Sequence, residues 1–212
     1  MTSKKRIAQI EEFKMKGNSG LNKCTMLICA SLMLLACRGY ADLTVAPEPA
    51  TIIRDASSEL DRPEGVAFSP TGEYIATANS LIDTVTFYKR IGDSGSVYET
   101  IPSFSIGGAQ SKLYYPHDIA FSPDGRHLAV ANRLGNAIII FEKDADEDFY
   151  HNVPIAVIKG KRSGVNKPDS VRYSPTDNVL AVANLGDSSI TFYRFNGNHY
   201  YKAPYQTIRN EK

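Results

Sequence analysis

Three side chains stand at matching places in a repeated sequence and are the chain's candidates for site chemistry. Glu64, His117 and Asp169 each follow a proline (Pro63, Pro116, Pro168) that opens one copy of the repeat. Converging from neighbouring copies, two carboxylates and an imidazole could hold a divalent cation through oxygen and nitrogen ligands. The same trio could set a general base beside a carboxylate. The plain alternative is that Pro-Glu-Gly, Pro-His-Asp and Pro-Asp-Ser are solvated turns. One position further lie Gly65, Asp118 and Ser170.

The elements that must position these residues come from the repeat itself. Residues 116–141 read PHDIAFSPDGRHLAVANRLGNAIIIF, and residues 63–87 and 168–192 read alike. The Ser-Pro prolines Pro70, Pro123 and Pro175 are separated by 53 and 52 residues. Opening proline to Ser-Pro proline is seven residues in every copy, and from there to Asn79, Asn132 and Asn184 is nine. From asparagine to a closing aromatic (Phe87, Phe141, Phe192) is eight, nine and eight. A fixed period of this size marks a repeat architecture and suits a four-stranded blade.

Within each unit the first strand alternates, with Val66/Phe68, Ile119/Phe121 and Val171/Tyr173 on one face. Ser-Pro-Thr-Gly, Ser-Pro-Asp-Gly and Ser-Pro-Thr-Asp are turns in which proline presets φ and Gly or Asp takes the tight positions. The second strand carries alanines (Ala76, Ala78, Ala129, Ala131, Ala181, Ala183) that leave room where sheets crowd together. Its closing asparagine reads as a turn residue that tolerates positive φ rather than as a ligand, with Gly135, Asn136, Gly186 and Asp187 completing the hairpins. A proline followed by an alternating run recurs near residues 101–106, 153–158 and 203–208, and at 46–53, and reads as an outer fourth strand. The expectation is an all-β, β-propeller-type chain with three blades of about 52 residues, at 63–110, 113–162 and 165–208. An extra outer strand would lie in the linker 42–62.

The stretch SPDGRHLAVANRLGNAIIIF resembles a repeat of the lactonase/YVTN class of β-propellers, within the WD40-like superfamily. The resemblance covers about residues 60–208. It implies a propeller fold and, more loosely, a lactonase-like hydrolase of sugar lactones. The Trp-Asp pair of true WD repeats is missing, since the chain has no tryptophan.

Charge divides the chain. Residues 1–41 hold seven Lys/Arg against two Asp/Glu, and residues 42–212 hold 17 against 21. The mildly acidic repeats lack the basic footprint of a nucleic-acid binder. Cys24, Cys29 and Cys37 all fall before the repeats, which therefore use no disulfide or thiolate metal site. Residues 24–37 form an uncharged apolar run behind Lys14, Lys16 and Lys23, the pattern of an export signal over 1–41. Translation would begin at Met1 or at Met15. Leu-Leu-Ala-Cys ending at Cys37 resembles a lipobox, whose cysteine would be lipidated. Gly39-Tyr40-Ala41 would suit soluble secretion instead. Either route places the repeats outside the cytoplasm, in the periplasm, on a membrane through a lipid anchor, or secreted.

Three blades do not close a ring of ~4–8. The reading frame is truncated, or further copies complete the ring. Other features are weaker. His127 and His151 read as solvated histidines near turns, and residues 143–148 (KDADED) as a solvated hairpin tip without the EF-hand glycine and closing Glu. No Gly-x-Ser-x-Gly, phosphate loop or His-Glu-x-x-His occurs. The expected role is an exported binding or scaffold module for a protein or glycan, without cofactor unless a divalent cation binds. The alternatives are the lactonase-like hydrolase and an inactive fragment.

Overall fold

The computed structural model describes residues 48–92 and 97–210. The leader and Cys37 lie outside the described residues. Each repeat forms one antiparallel sheet whose spatial order follows the chain. Blade 1 is β1 (Pro63–Phe68), β2 (Tyr74–Asn79), β3 (Thr84–Lys89) and β4 (Phe104–Ile106). Blade 2 is β5 (Pro116–Phe121), β6 (His127–Asn132), β7 (Ala137–Glu142) and β8 (Ala156–Lys159). Blade 3 is β9 (Pro168–Tyr173), β10 (Val179–Asn184), β11 (Ser189–Arg194) and β12 (Gln206–Arg209). The innermost strands stand side by side, β1 against β5 and β5 against β9. The fold is therefore the expected propeller type.

Local chemistry sets the turns. Gly72 and Gly125 take φ of 69° and 72° after the Ser-Pro pairs, and each N–H returns to the serine carbonyl at 2.8 and 2.9 Å. That left-handed backbone costs glycine little. Val66, Ile119 and Val171 pair with Thr77, Val130 and Val182, so they hold matching places in successive sheets.

Two apolar layers join the blades. Between blades 1 and 2, Ala76, Ala78, Val85, Phe87 and Ile106 meet residues such as Ile119, Val130, Ile139 and Phe141. Between blades 2 and 3, Ala129, Ala131, Ile138 and Ile140 meet Val171, Leu180, Val182 and Tyr193. The small alanines let β6 carry a second sheet closely, and packing at interior density follows. Blade 2 has both faces covered.

Three expectations are corrected. Residues 48–53, the described part of the predicted strand at 46–53, form no strand. An outer strand needs a third strand for its ladder, and β3, β7 and β11 already carry β4, β8 and β12. Phe141 is not the counterpart of Phe87 and Phe192. Leu128 pairs with Phe141 as Ile75 pairs with Tyr88 and Leu180 with Tyr193. Ile140 thus takes the place of Phe87. His127 is buried rather than solvated: it shares a face with Ala129 and Ala131 and packs edge-on to Phe195 and Tyr200. His151 is exposed as expected.

The asparagines are structural, but by another mechanism. Asn79, Asn132 and Asn184 are absent from the positive-φ residues, which instead include Asp83, Asn136 and Ser188. Each is buried at a strand end and its Oδ1 accepts a backbone N–H from the segment entering the blade: Asp61 at 3.4 Å, Tyr114 at 2.7 Å, Asn166 at 3.0 Å. Asn132 Nδ2 donates to Lys112 O at 3.1 Å. Asn79 and Asn184 Nδ2 donate instead to Thr86 and Thr191 hydroxyls, both at 3.1 Å.

The repeat also begins earlier than its opening prolines. Ser58, Ser111 and Ser163 are buried and spaced 53 and 52 residues apart. Each Oγ donates to a carbonyl three residues back at 2.7 Å, closing the inter-blade turn. Tyr88 and Tyr193 hydroxyls donate to Ser58 O and Ser163 O, both at 2.6 Å.

Replacing Asn132 by Ala removes the partners of the Tyr114 N–H and the Lys112 C=O, both in part-buried bonds, so stability should fall by about 1–2 kcal/mol in a denaturant titration. Burial lowers the His127 pKa from its ordinary 6.5, against the opposing pull of Asp124 and Glu142. The unfolded chain then binds the proton more readily, so stability is full above 6.5 and is lost as pH falls below it. Melting temperature should drop between pH 7 and 5, and His127→Leu should flatten that part of the profile.

Candidate functional site

The opening prolines begin the innermost strands, so the residues after them gather on one rim of the blade array. Glu64, His117 and Asp169 do come together there. His117 Nε2 lies 2.5 Å from Glu64 Oε2 and 3.6 Å from Asp169 Oδ1. Its Nδ1 lies 2.9 Å from the Asp169 backbone oxygen. Both ring nitrogens thus face oxygen atoms.

Sequence reasoning missed the residues that complete the cluster. Arg62 Nε sits 3.1 Å from Glu64 Oε1, and Ser80 Oγ donates to the same oxygen at 3.1 Å. Arg133 approaches Asp169 Oδ1 at 3.4 Å. Arg62 also lies over the Tyr115 ring, 5.4 Å from its centroid. Arg62 and Ser80 flank Glu64 in the chain's own turns, and their period partners differ in type, which hid them from a repeat comparison. Among the described residues no three His, Cys, Asp or Glu groups are gathered at metal-ligand spacing.

The next position along is structural. Asp118 is buried, and its Oδ2 accepts from Ser170 Oγ at 2.7 Å, Val171 N at 3.0 Å and Arg172 at 2.6 Å. It ties β5 to β9. In blade 1 the equivalent Gly65 lies so close that an added Cβ would meet Asp118 Cα at 2.6 Å and His117 O at 2.7 Å. Two further ties cross between blades from the hairpin turns: Asp83 Oδ1 accepts from Tyr115 N and Asn136 Oδ1 from Lys167 N, both at 2.6 Å.

Exposed apolar side chains crown the same rim. Leu81 and Ile82 lie in the β2–β3 turn, Leu134 in the β6–β7 turn, Leu185 in the β10–β11 turn, and Tyr114 precedes β5.

A second candidate lies at the opposite rim, where the Ser-Pro turns of blades 1 and 2 flank a cleft of about 550 Å³. Glu73, Asp124, Arg126, Lys143 and Asp148 line it. The acidic run 143–148 forms the expected hairpin tip, bridged by Lys143 and Tyr150. The tip is docked rather than free: Asp148 Oδ2 accepts from Tyr74 of blade 1 at 2.6 Å, and Lys143 Nζ lies 2.6 Å from Asp148 Oδ1. Burial would raise the Asp148 pKa, but these partners outweigh it and hold the carboxyl below its ordinary value.

With this geometry in hand, comparison with known proteins places the fold. Residues 112–200 match the family described as "Lactonase, 7-bladed beta-propeller". An uncharacterized protein of Staphylococcus epidermidis is 27% identical over 125 residues, 59% of this chain and 34% of that one. The chain thus spans about a third of that relative's length. A functionally unknown protein of Desulfotomaculum acetoxidans superposes with a TM-score of 0.55 at 23% identity, over 70% of this chain and 42% of the other. A candidate 6-phosphogluconolactonase of Bacteroides uniformis gives 0.55 at 19%, over 70% and 41%. The WD40 repeats of RRP9 give 0.53 at 16%, over 76% and 41%. The chain has the fold of consecutive β-propeller blades, and at these identities the structural likeness speaks to fold alone.

Asp118 and Glu64 should separate in stability. Asp118→Ala removes a buried acceptor of three hydrogen bonds and should cost about 3 kcal/mol by chemical denaturation. Glu64→Ala, in the partly open rim, should cost under about 1 kcal/mol. Equal losses would contradict the division between tie and rim.

Proposed function

We propose that this chain is an exported propeller-type binding module whose protein or glycan ligand meets the rim around Glu64, His117 and Asp169. The observation that carries this reading is the crown of exposed Leu81, Ile82, Tyr114, Leu134 and Leu185 around a paired polar centre. Aromatic and arginine side chains mixed with apolar ones are what recognition surfaces use, and clustered apolar exposure marks interaction sites. Both imidazole nitrogens and both Glu64 oxygens are already engaged by neighbouring groups. Export rests on the apolar run at 24–37, with Cys37 as the lipidated residue if the lipobox is used.

The test is a glycan array together with a defined panel of surface proteins, read for wild type and for Tyr114→Ser combined with Leu134→Ser. Saturable binding that weakens at least about tenfold in the double variant supports the reading. Binding that ignores those substitutions removes it.

A lactonase-like hydrolase is the second reading, favoured by the family match over residues 112–200 and by Arg62 and Arg133 beside the trio, which suit an anionic substrate. Purified protein assayed on phosphorylated and free sugar lactones decides: turnover above background that disappears in His117→Ala would replace the binding reading. A divalent cation at the trio would need a bare imidazole nitrogen, so its binding should weaken as pH falls. A manganese- or zinc-dependent rise in melting temperature, lost when Glu64, His117 and Asp169 are all changed to Ala, is the expected signature. No rise at millimolar metal would end the cation idea.

A further inference from the structure

Tyr98, Tyr150 and Tyr200 hold one place in the three blades, each bridged to the residue after its third strand, at Arg90, Lys143 and Phe195. In blades 1 and 2 the hydroxyl closes on the blade's own Ser-Pro turn, Tyr98 donating to Gly72 O at 2.8 Å and Tyr150 to Gly125 O. Blade 3 departs from this pattern. Its turn carries Asp177 where the others have glycine. The Tyr200 hydroxyl lies instead 2.9 Å from His127 Nδ1 of blade 2 and 2.8 Å from the Tyr173 hydroxyl. Its ring stacks on Phe195, and both rings meet His127 edge-on. His127 and Tyr200 are buried in this seam.

Hydrogen counting shows what a proton would do there. Burial raises the pKa of both tyrosines, so both stay neutral. The His127–Tyr200–Tyr173 chain has two contacts, and the two hydroxyls supply a hydrogen to each when Nδ1 is bare. A proton on Nδ1 brings a third hydrogen to the same two contacts, so one hydroxyl must turn away. Other charges face the ring. Glu142 Oε1 lies 3.8 Å from Nε2 and is held by Arg126 at 2.8 Å. Asp124 and Glu142 favour the charged ring and Arg126 opposes it, while burial outweighs all three and favours the neutral form. Asp177 lines the small cavity beside the ring.

We propose that His127 and Tyr200 form an acid-released latch on the seam between blades 2 and 3: a proton on His127 unhooks the Tyr200 hydroxyl and loosens the hairpin around residues 195–200. Buried histidines that gain charge are a general means of flipping an interface. The released hydroxyl has a pattern to follow, since Tyr98 and Tyr150 already close on their own turns. The seam between blades 1 and 2 has no such latch. Tyr74 stands 53 residues before His127, in the same place, and donates to Asp148 Oδ2 at 2.6 Å. Burial raises the Tyr74 pKa, and the Asp148 carboxyl is held below its ordinary 3.8, so neither changes charge in mild acid. In the loosened seam the His127 ring takes its ordinary 6.5, above its value in the closed one. The latch is therefore shut above 6.5 and is released as pH falls below it. Neither ligand reading above enters this inference.

Nuclear magnetic resonance of the wild-type chain, titrated between about pH 8 and 5, tests it. The Tyr200 ring signals should shift with the same midpoint as His127, while those of Tyr98 and Tyr150 stay still. The Tyr201 amide, which donates to Arg194 O at 3.0 Å, should lose protection from hydrogen exchange. The loss should approach about tenfold per pH unit, the slope of one proton. The Asp144 amide in the blade 2 hairpin, on Phe149 O at 2.9 Å, should keep its protection. His127→Gln, uncharged at every pH, should remove both changes, with circular dichroism checking that its sheets persist. Tyr200 signals that ignore the His127 titration overturn the proposal. So do Tyr201 and Asp144 losing protection together, which is unfolding of the whole chain, or a folded His127→Gln chain that keeps the pH dependence.

Discussion

A propeller sheet carries apolar side chains on both faces, so each face gains stability by being covered. Everything in this chain follows from that requirement. Blade 2 meets it fully, since Val130 and Ile139 point into one layer and Ala129 and Ile138 into the other, all buried. At roughly 25 cal/mol per Å² of apolar area removed from water, such layers are the main favourable contribution to folding. Blades 1 and 3 each meet it on one side.

Close stacking then imposes polar detail. Sheets near enough to share an alanine layer bring their innermost strands together, and the strand ends must satisfy buried donors and acceptors. The asparagine at the end of each second strand, the serine in each inter-blade turn, and Asp83, Asn136 and Asp118 between blades all answer that need. The same stacking brings matching positions on adjacent inner strands close together at the rim. In this chain they hold Glu64, His117 and Asp169, which pair.

Much of this was legible before any coordinates. The period, the Ser-Pro turns and the alternation of Val66/Phe68, Ile119/Phe121 and Val171/Tyr173 gave the sheets and their faces. The convergence of the trio followed from equal placement after the opening prolines. What escaped was side-chain hydrogen bonding, because it depends on which backbone groups stacking leaves unpaired. Asn132 looked like a turn residue, being next to a turn, yet its amide works inward. The serines at 58, 111 and 163 kept the period and could have been found by extending the comparison upstream. His127 could have been placed by alternation, two residues from Ala129, but its neighbouring turn suggested solvent. Arg62 and Arg133 gave no periodic signal at all.

The central claim is that blade 2, covered on both faces, is the stability core and the outer blades are progressively freer. Native-state hydrogen exchange measures this directly. The account predicts that amides of β6 and β7 exchange only through global unfolding, while those of β12, whose residues are all exposed, exchange fastest among the strands. Equal protection across the three blades, or β12 as slow as β6, would contradict it.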